Sequence, residues 1–414
     1  PEDQSLILKV VGKASKETRV VSGRKKHNLP DITPIIDLSN SSITRFVGTA
    51  TKVRADFSDN HIRISIFHLD MSIYHREQSL LNNLRQGFIT KGVLCCGIGV
   101  SAAASDEAFM EAGIEPRTEF VIDREPRYLE AFTQNNPAYK SNTVTIEGSL
   151  EDVEPSILKA INLLMFSLPC TGHSKAGKAK NRNKHAEDHK TDAMAILGLI
   201  RMIDQLKPAL LASENVVPAK DSATYVLLKG MLEACGYVIS EVTLSTKDTG
   251  TVEDRPRWWF VATSKGLPSV DLSAFPEYES EYKKFADIKE DVPLDSPGWR
   301  CEKVKLDRAA ANEAKGNKFG FNVIQADDKN IKVCGKGYQK DRNSEPHVSN
   351  GKGQVRLLTT TELAKAQNVP LGLIKDITPG TAYEGLGQGI DYFQGKGVSK
   401  RLIEDVLLQY TTGR

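Results

Sequence analysis

A cysteine placed where an apolar run gives way to a basic, glycine-containing segment is positioned to act as a nucleophile. Cys170 follows Leu168-Pro169 at the end of the apolar stretch 161–168 and precedes Thr171, Gly172 and the lysines that run on to Lys180. A β-strand should stop there and a loop begin, presenting the thiol at a strand tip where nearby cations favour the thiolate. A lone Pro-Cys is more often a packed cysteine, because free cysteines are commonly buried. Its company argues for chemistry. A second apolar run, 209–212, ends in Ser213-Glu214-Asn215-Val216, and a third, 258–262, directly follows Glu253-Asp254-Arg255-Pro256-Arg257. Upstream, residues 92–94 read as a strand entering Cys95-Cys96-Gly97-Ile98-Gly99, followed by a small-residue helix over 101–112 and a strand over 119–122 that ends in Asp123.

These groups gain meaning from where the strands stop, since an open α/β sheet binds ligands outside the carboxyl ends of its strands. From about 89 to 266 strands and helices alternate, which demands a mostly parallel sheet covered on both faces, an α/β, doubly wound fold. Helical spacing over 193–206, stopped by Pro208, and over 223–235, ahead of Gly236, supplies covering helices; the stripe Met194, Leu197, Ile200, Ile203 and Leu206 reads as core packing. A Gly-x-Gly turn entering a helix lets backbone approach a ligand and offers the helix N-terminus to an anion. With an acid one strand further on, it suits a nicotinamide and a methyl-donor cofactor equally.

The rest of the chain divides into three parts. Residues 1–88 set short β-rich runs (6–11, 32–38, 62–67) between polar turns and end in a helix over 76–85, as expected of a β-rich accessory domain. Residues 267–355 are irregular and rich in Gly, Pro, Lys and Asp, with strand-like pieces at 321–324 and 331–333; residues 356–414 should pack back on the main domain and close with a helix over 399–410. Lys336-Gly337-Tyr338-Gln339-Lys340-Asp341-Arg342 mixes cations, an aromatic and an amide in a way that suits nucleic-acid grooves and polar surface loops alike.

Composition sets outer limits. A chain of 414 residues accommodates two or three domains, and a formal net charge of +2 makes any nucleic-acid footprint local. The six cysteines show neither zinc spacing nor a disulfide framework, which points to a reducing, cytoplasmic setting. No apolar stretch is long enough for a bilayer and no signal-peptide pattern starts at Pro1, so a soluble protein without membrane contacts is expected.

In this order the motifs resemble the cytosine-C5 methyltransferase family, which uses S-adenosylmethionine to methylate cytosine, usually in DNA. The resemblance runs from about 92 to 263 and resumes from about 356. Pro169-Cys170 is similar to the family's nucleophile dipeptide, Glu214-Asn215-Val216 to its Glu-Asn-Val, and Arg255-x-Arg257 to its Arg-x-Arg. Arg356-Leu-Leu-Thr-Thr-Thr-Glu362, with Gln367 and Pro370, resembles the stretch after the target-recognition region, and Gly387-Gln388-Gly389-Ile390 stands where Gly-Asn precedes the last helix. Cys95 replaces a usual phenylalanine, Ser149 an aspartate that meets the adenine amino group, and Thr171 and Glu253 glutamines.

The resemblance implies a class I, Rossmann-like methyltransferase domain at 89–266, a target-recognition domain at 267–355 and a returning segment at 356–414. It implies a DNA (cytosine-5-)-methyltransferase in which Cys170 adds to C6 of a flipped-out cytosine, Glu214 shares a proton with N3, Arg257 holds O2 or orients Glu214, and Arg255 anchors the site or contacts phosphate. The cofactor residues it implies are Cys96, Gly97, Ile98, Gly99, Asp123 for the ribose hydroxyls, Ser149, Leu150, Pro169 and Gln388; the product is S-adenosyl-L-homocysteine, and no metal is needed. The basic run from Ser174 to Lys190 would close on phosphates through Ser174, Lys175 and Lys178. Asn215, Tyr338 and Arg342 complete the DNA contacts, with Arg342 the foremost target contact. The expected partner is double-stranded DNA in the cytoplasm of a bacterial cell or its phage or plasmid, with room for a separate restriction endonuclease. A tRNA cytosine methyltransferase and a non-catalytic DNA-binding relic are the alternatives.

Overall fold

The computed structural model describes residues 5–9, 19–24, 33–37, 53–58, 61–169, 190–316 and 320–411. The chain divides into two compact units, Pro1–His75 and Arg76–Arg414. In the first, β1 (Ser5–Lys9), β4 (Val53–Ser58) and β5 (His61–Ile66) form an antiparallel sheet of order β1-β5-β4, while β2 (Arg19–Arg24) and β3 (Thr33–Asp37) pair separately. The sequence marks β1, β3 and β5 by their apolar runs. Strand β4, Val-Arg-Ala-Asp-Phe-Ser, has no such run, and its Val53 and Phe57 remain exposed. The helix expected over 76–85 spans His68–Arg85, with Asp70 in its first turn and Arg85 in its last, each matching the sign of the helix dipole.

The second unit is built on a seven-stranded sheet of β6 (Phe88–Leu94), β7 (Glu115–Asp123), β8 (Val144–Glu147), β9 (Leu163–Phe166), β10 (Leu210–Asn215), β11 (Tyr237–Leu244) and β13 (Arg257–Ser264), in the order β11-β13-β10-β9-β6-β7-β8. Neighbours run parallel except β13, which is antiparallel to both β10 and β11. Alternate residues of each strand enter opposite cores: Val93, Val121, Met165, Leu210 and Val261 on one face, Leu94, Ile122, Phe166, Leu211 and Phe260 on the other. The chain winds outward from β6 through β7 to β8 and then returns to β9, so the strand order reverses between β6 and β9 and a crevice opens above their carboxyl ends. The glycine turn after β6, Asp123, Glu214 and Arg257 lie at that crevice.

Two helices differ from expectation. On Lys190–Leu206 the buried face is Ala195, Ile196, Leu199, Met202, Ile203 and Leu206, whereas Met194 and Leu197, assigned to the core stripe, are 38% and 51% exposed. The apolar arc of this helix is wider than the face it buries, so periodicity alone leaves the phase open. The closing helix begins at Tyr392, where the Asp391 carboxylate accepts from Phe393 N at 2.9 Å; it runs to Leu402 and continues as a wider turn over Ile403–Leu407. Gly395 and Gly397 in its early turns hide this start from a propensity reading.

Within residues 267–355, β14 (Arg300–Cys301), β15 (Asn322–Ile324), β17 (Pro346–Ser349) and β18 (Gln354–Arg356) form a four-stranded sheet of order β14-β18-β17-β15, and helix Glu302–Ala314 follows β14. Between β11 and β13, the short β12 (Glu253–Asp254) pairs in parallel with β16 (Ile331–Lys332), stitching this region to the strand that carries the Arg-x-Arg motif.

Candidate active site

The loop after β6 owes its shape to left-handed backbone. Cys95, Gly97 and Gly99 have φ of 53°, 52° and 81°. Gly99 caps helix Val100–Glu111, and a Cβ there would lie 2.1 Å from Asn136 Nδ2, so only glycine fits. Asn136, buried at the end of the next helix, donates to the carbonyls of Ile98 and Gly99 at 3.2 and 2.8 Å and fixes the turn. From the tip of β7, Asp123 accepts from Gly97 N at 2.8 Å through one oxygen and from Glu125 N at 3.0 Å through the other. Burial raises its carboxyl above the usual range despite those bonds. Gly148 N binds the Asp123 carbonyl at 3.0 Å, which brings Ser149 and Leu150 beside Asp123. Gln388 completes the cleft: its Nε2 is 3.8 Å from where a Gly97 Cβ would stand.

An S-adenosyl cofactor fits these residues. Two bonds leave the Asp123 carboxylate acceptor capacity for a diol. Gly97, with φ of 52° and no side chain, leaves its backbone accessible beside Gln388. The side chains of Cys96, Ile98 and Leu150 are buried in the core, so these residues present backbone to the cleft. Burial pushes the Cys95 thiol up to about 12 and holds Cys96 well above its ordinary value, so both stay neutral.

Across the crevice, Glu214 ends β10 in a nearly buried position. Ser167 Oγ donates to Glu214 Oε1 at 2.7 Å, and Arg257 Nε stands 3.3 Å from Oε2. Arg257 opens β13, whose antiparallel register places Trp258 opposite Asn215, so sheet pairing itself delivers the guanidinium to the carboxylate. Its other nitrogens donate to the carbonyls of Pro256 and Gly389 at 3.0 and 3.2 Å. A carboxylate held at both oxygens at a strand tip, two strands from the glycine turn, can exchange a proton with a flat polar ligand edge. Pro169, half-buried, carries the chain out of the crevice; Cys170, Ser174, Lys175 and Lys178 lie outside the described residues.

Three expected contacts are corrected. Asn215 is buried: its Nδ2 donates to Leu168 O at 3.1 Å and Tyr225 Oη at 2.9 Å, and its Oδ1 accepts from Val216 N, so it braces the entry to Pro169-Cys170 and does not face nucleic acid. Tyr338 is fully buried, donating to Pro346 O at 2.6 Å and accepting from Leu358 N at 2.8 Å. Arg255 is also fully buried; it binds Glu253, Cys334 O, Gly387 O and Gly389 O, which leaves it an anchor and removes the phosphate role. Arg342, by contrast, is exposed. Arg255→Ala is expected to lower unfolding free energy by about 3–5 kcal/mol, because it strands the buried Glu253 charge. Urea denaturation checks this, and unchanged stability with weaker nucleic-acid binding would restore the phosphate contact.

The segment around Lys336 packs against helix Pro379–Gln388 and Tyr128. A Cβ on Gly387 would lie 2.5 Å from Gly335 O, Gln339 Nε2 donates to Glu384 at 3.0 Å, and Lys336 Nζ sits 5.3 Å from the Tyr128 ring centre. Ser167, Asn136 and Gln394, whose side chain links Trp259 Nε1 to Arg255 O at 3.0 Å each, escaped sequence reasoning. Only Ser167 carried a signal, standing three residues before Cys170 in the sequence.

The profile of the family described as C-5 cytosine-specific DNA methylase matches residues 91–390. The chain belongs to that family. Among curated relatives, type II methyltransferase M.HpaII of Haemophilus parainfluenzae is 24% identical over 277 residues, 62% of this chain and 75% of that one. Type II methyltransferase M.SsoII of Shigella sonnei is 22% identical, with 64% of its length covered. The mouse tRNA (cytosine(38)-C(5))-methyltransferase is 27% identical over 194 residues, 45% of each chain. In fold, the chain is similar to the crystal structure of S. pombe Dnmt2 methyltransferase, with a TM-score of 0.61, 18% identity and coverage of 78% of this chain and all of that one. The Entamoeba histolytica methyltransferase EhMeth gives a TM-score of 0.62 at 17% identity, covering 77% and 98%. This cytosine-C5 methyltransferase has no helix, among the described residues, long and apolar enough to cross a membrane.

Proposed function

We propose that this family member is a DNA (cytosine-5-)-methyltransferase acting on a cytosine flipped out of duplex DNA. The observation that carries the reading is Glu214 gripped by Arg257 and Ser167 beside the strand tip that leads into Pro169-Cys170. The Cys170 thiolate adds to C6, and the electron pair displaced toward N3 is met by a proton shared with Glu214, making C5 nucleophilic. Arg257 helps fix the Glu214 carboxylate. S-adenosylmethionine, the methyl donor of this family, supplies an electrophilic methyl group when bound. Asp123 would hold its ribose hydroxyls and the Gly97 turn, beside Gln388, its amino-acid end, with Ser149 and Leu150 toward the base. Loss of the C5 proton then lets the C6 bond break and frees Cys170.

Duplex DNA is preferred because residues 267–355 form a sheet and helix of their own beside the crevice, enough surface to read a duplex, with Arg342 exposed at its edge. The similarity to a tRNA methyltransferase keeps tRNA as the second reading. Parallel assays of methyl transfer to duplex DNA and to tRNA decide between them; transfer to tRNA alone would overturn the DNA assignment. A separate restriction endonuclease is compatible with the similarity to type II methyltransferases. Asp123→Ala is expected to weaken S-adenosylhomocysteine binding about 10- to 100-fold, the worth of bonds to a charged acceptor. Calorimetry measures it, and an unchanged dissociation constant would move the ribose site elsewhere.

A further inference from the structure

We infer that Ser167 is a positioning residue for Glu214, setting the direction from which the carboxyl meets the base; this rests on the proposed function. Ser167 and Leu168 follow β9, and Glu214 and Asn215 end the adjacent parallel strand β10. Two bonds cross this gap in opposite senses. Ser167 Oγ donates to Glu214 Oε1 at 2.7 Å, and Asn215 Nδ2 donates to Leu168 O at 3.1 Å. Consecutive residues on one tip are thereby latched to consecutive residues on the other, and the first tip is the one that continues into Pro169 and Cys170.

The arrangement singles out one hydroxyl. Ser213, next to Glu214 and lining the same small cleft, is 2% exposed, and its Oγ has no hydrogen-bond partner among the described residues, so it does not steer the carboxylate. The Arg257 Nε contact is to Oε2, at the longer distance of 3.3 Å. Without Ser167 the carboxyl keeps its Arg257 contact but loses the bond at Oε1 and turns over a wider range about its terminal bond, since such torsions are broad. With Ser167 in place Oε1 is tied back to the β9 tip, leaving a defined edge for the base. A hydroxyl at this position acts through Glu214 and touches no reacting atom.

Full-length Ser167→Ala and Ser167→Thr proteins, assayed beside wild type on the nucleic acid that wild type methylates, test the inference. A lost bond to a charged acceptor predicts kcat lowered about 10- to 100-fold in Ser167→Ala. The cofactor KM and S-adenosylhomocysteine affinity should remain within about twofold, and Ser167→Thr, which keeps the hydroxyl, should regain most of the rate. A Ser167→Ala enzyme with wild-type kcat overturns the inference while leaving the proposed function standing. So does a parallel loss of cofactor affinity and melting temperature, which would mark a merely structural serine. A wild-type chain inactive on both duplex DNA and tRNA would overturn the proposed function, and this inference with it.

Discussion

Cys170→Ala is expected to lower methyl transfer by a factor on the order of 10⁵–10⁶, as removal of a covalent nucleophile does in other enzymes. The reasoning is chemical. C5 of cytosine is a poor nucleophile until a nucleophile has added to C6, the role proposed for Cys170. Cys95 and Cys96, the cysteines nearest the crevice among the described residues, are held as neutral thiols by burial. S-adenosylhomocysteine affinity and melting temperature should stay at wild-type values, because Gly97, Asp123, Ser149, Leu150 and Gln388, placed around the cofactor, lie in the loop after β6, at the end of β7, after β8 and on helix Pro379–Gln388. Single-turnover transfer of labelled methyl groups measures the loss; substantial residual turnover would remove the covalent mechanism.

Glu214→Gln is the second large effect. The amide preserves size and can still accept from Ser167, but it carries no charge for Arg257 and cannot share a proton with N3. Loss of a positioned general acid predicts a rate lower by roughly 10²–10⁴-fold. Arg257 keeps its bonds to the carbonyls of Pro256 and Gly389, so the fold should survive. Pre-steady-state rates on saturating substrate separate the chemical step from binding, and a near-normal rate would assign N3 to another group.

The chemistry was legible in the sequence because each reactive type falls at a strand end, and strand ends are marked by where apolar runs stop. Gly97, Asp123, Glu214 and Arg257 do converge on the crevice between β6 and β9. What sequence cannot show is direction. Asn215 neighbours Glu214 yet turns inward to Leu168 and Tyr225, because successive strand residues point to opposite faces. Arg255 and Arg257 share a motif, but one is sealed among backbone carbonyls and the other faces the carboxylate. Tyr338 sits in a segment whose composition suits a nucleic-acid groove, while its ring packs against Tyr383 and its hydroxyl ties Pro346 to Leu358. Ser167 became meaningful only once the parallel register of β9 and β10 placed it against Glu214.

The central claim is that Cys170 attacks cytosine C6 in duplex DNA. The most direct measurement incubates the protein with S-adenosylmethionine and duplex DNA containing 5-fluorocytosine, where the blocked C5 position prevents release of the enzyme, and compares wild type with Cys170→Ser. A denaturation-resistant protein–DNA adduct present in wild type and absent in Cys170→Ser is predicted. An adduct formed only with fluorinated tRNA would contradict the DNA assignment, and no adduct with either nucleic acid would contradict the covalent mechanism itself.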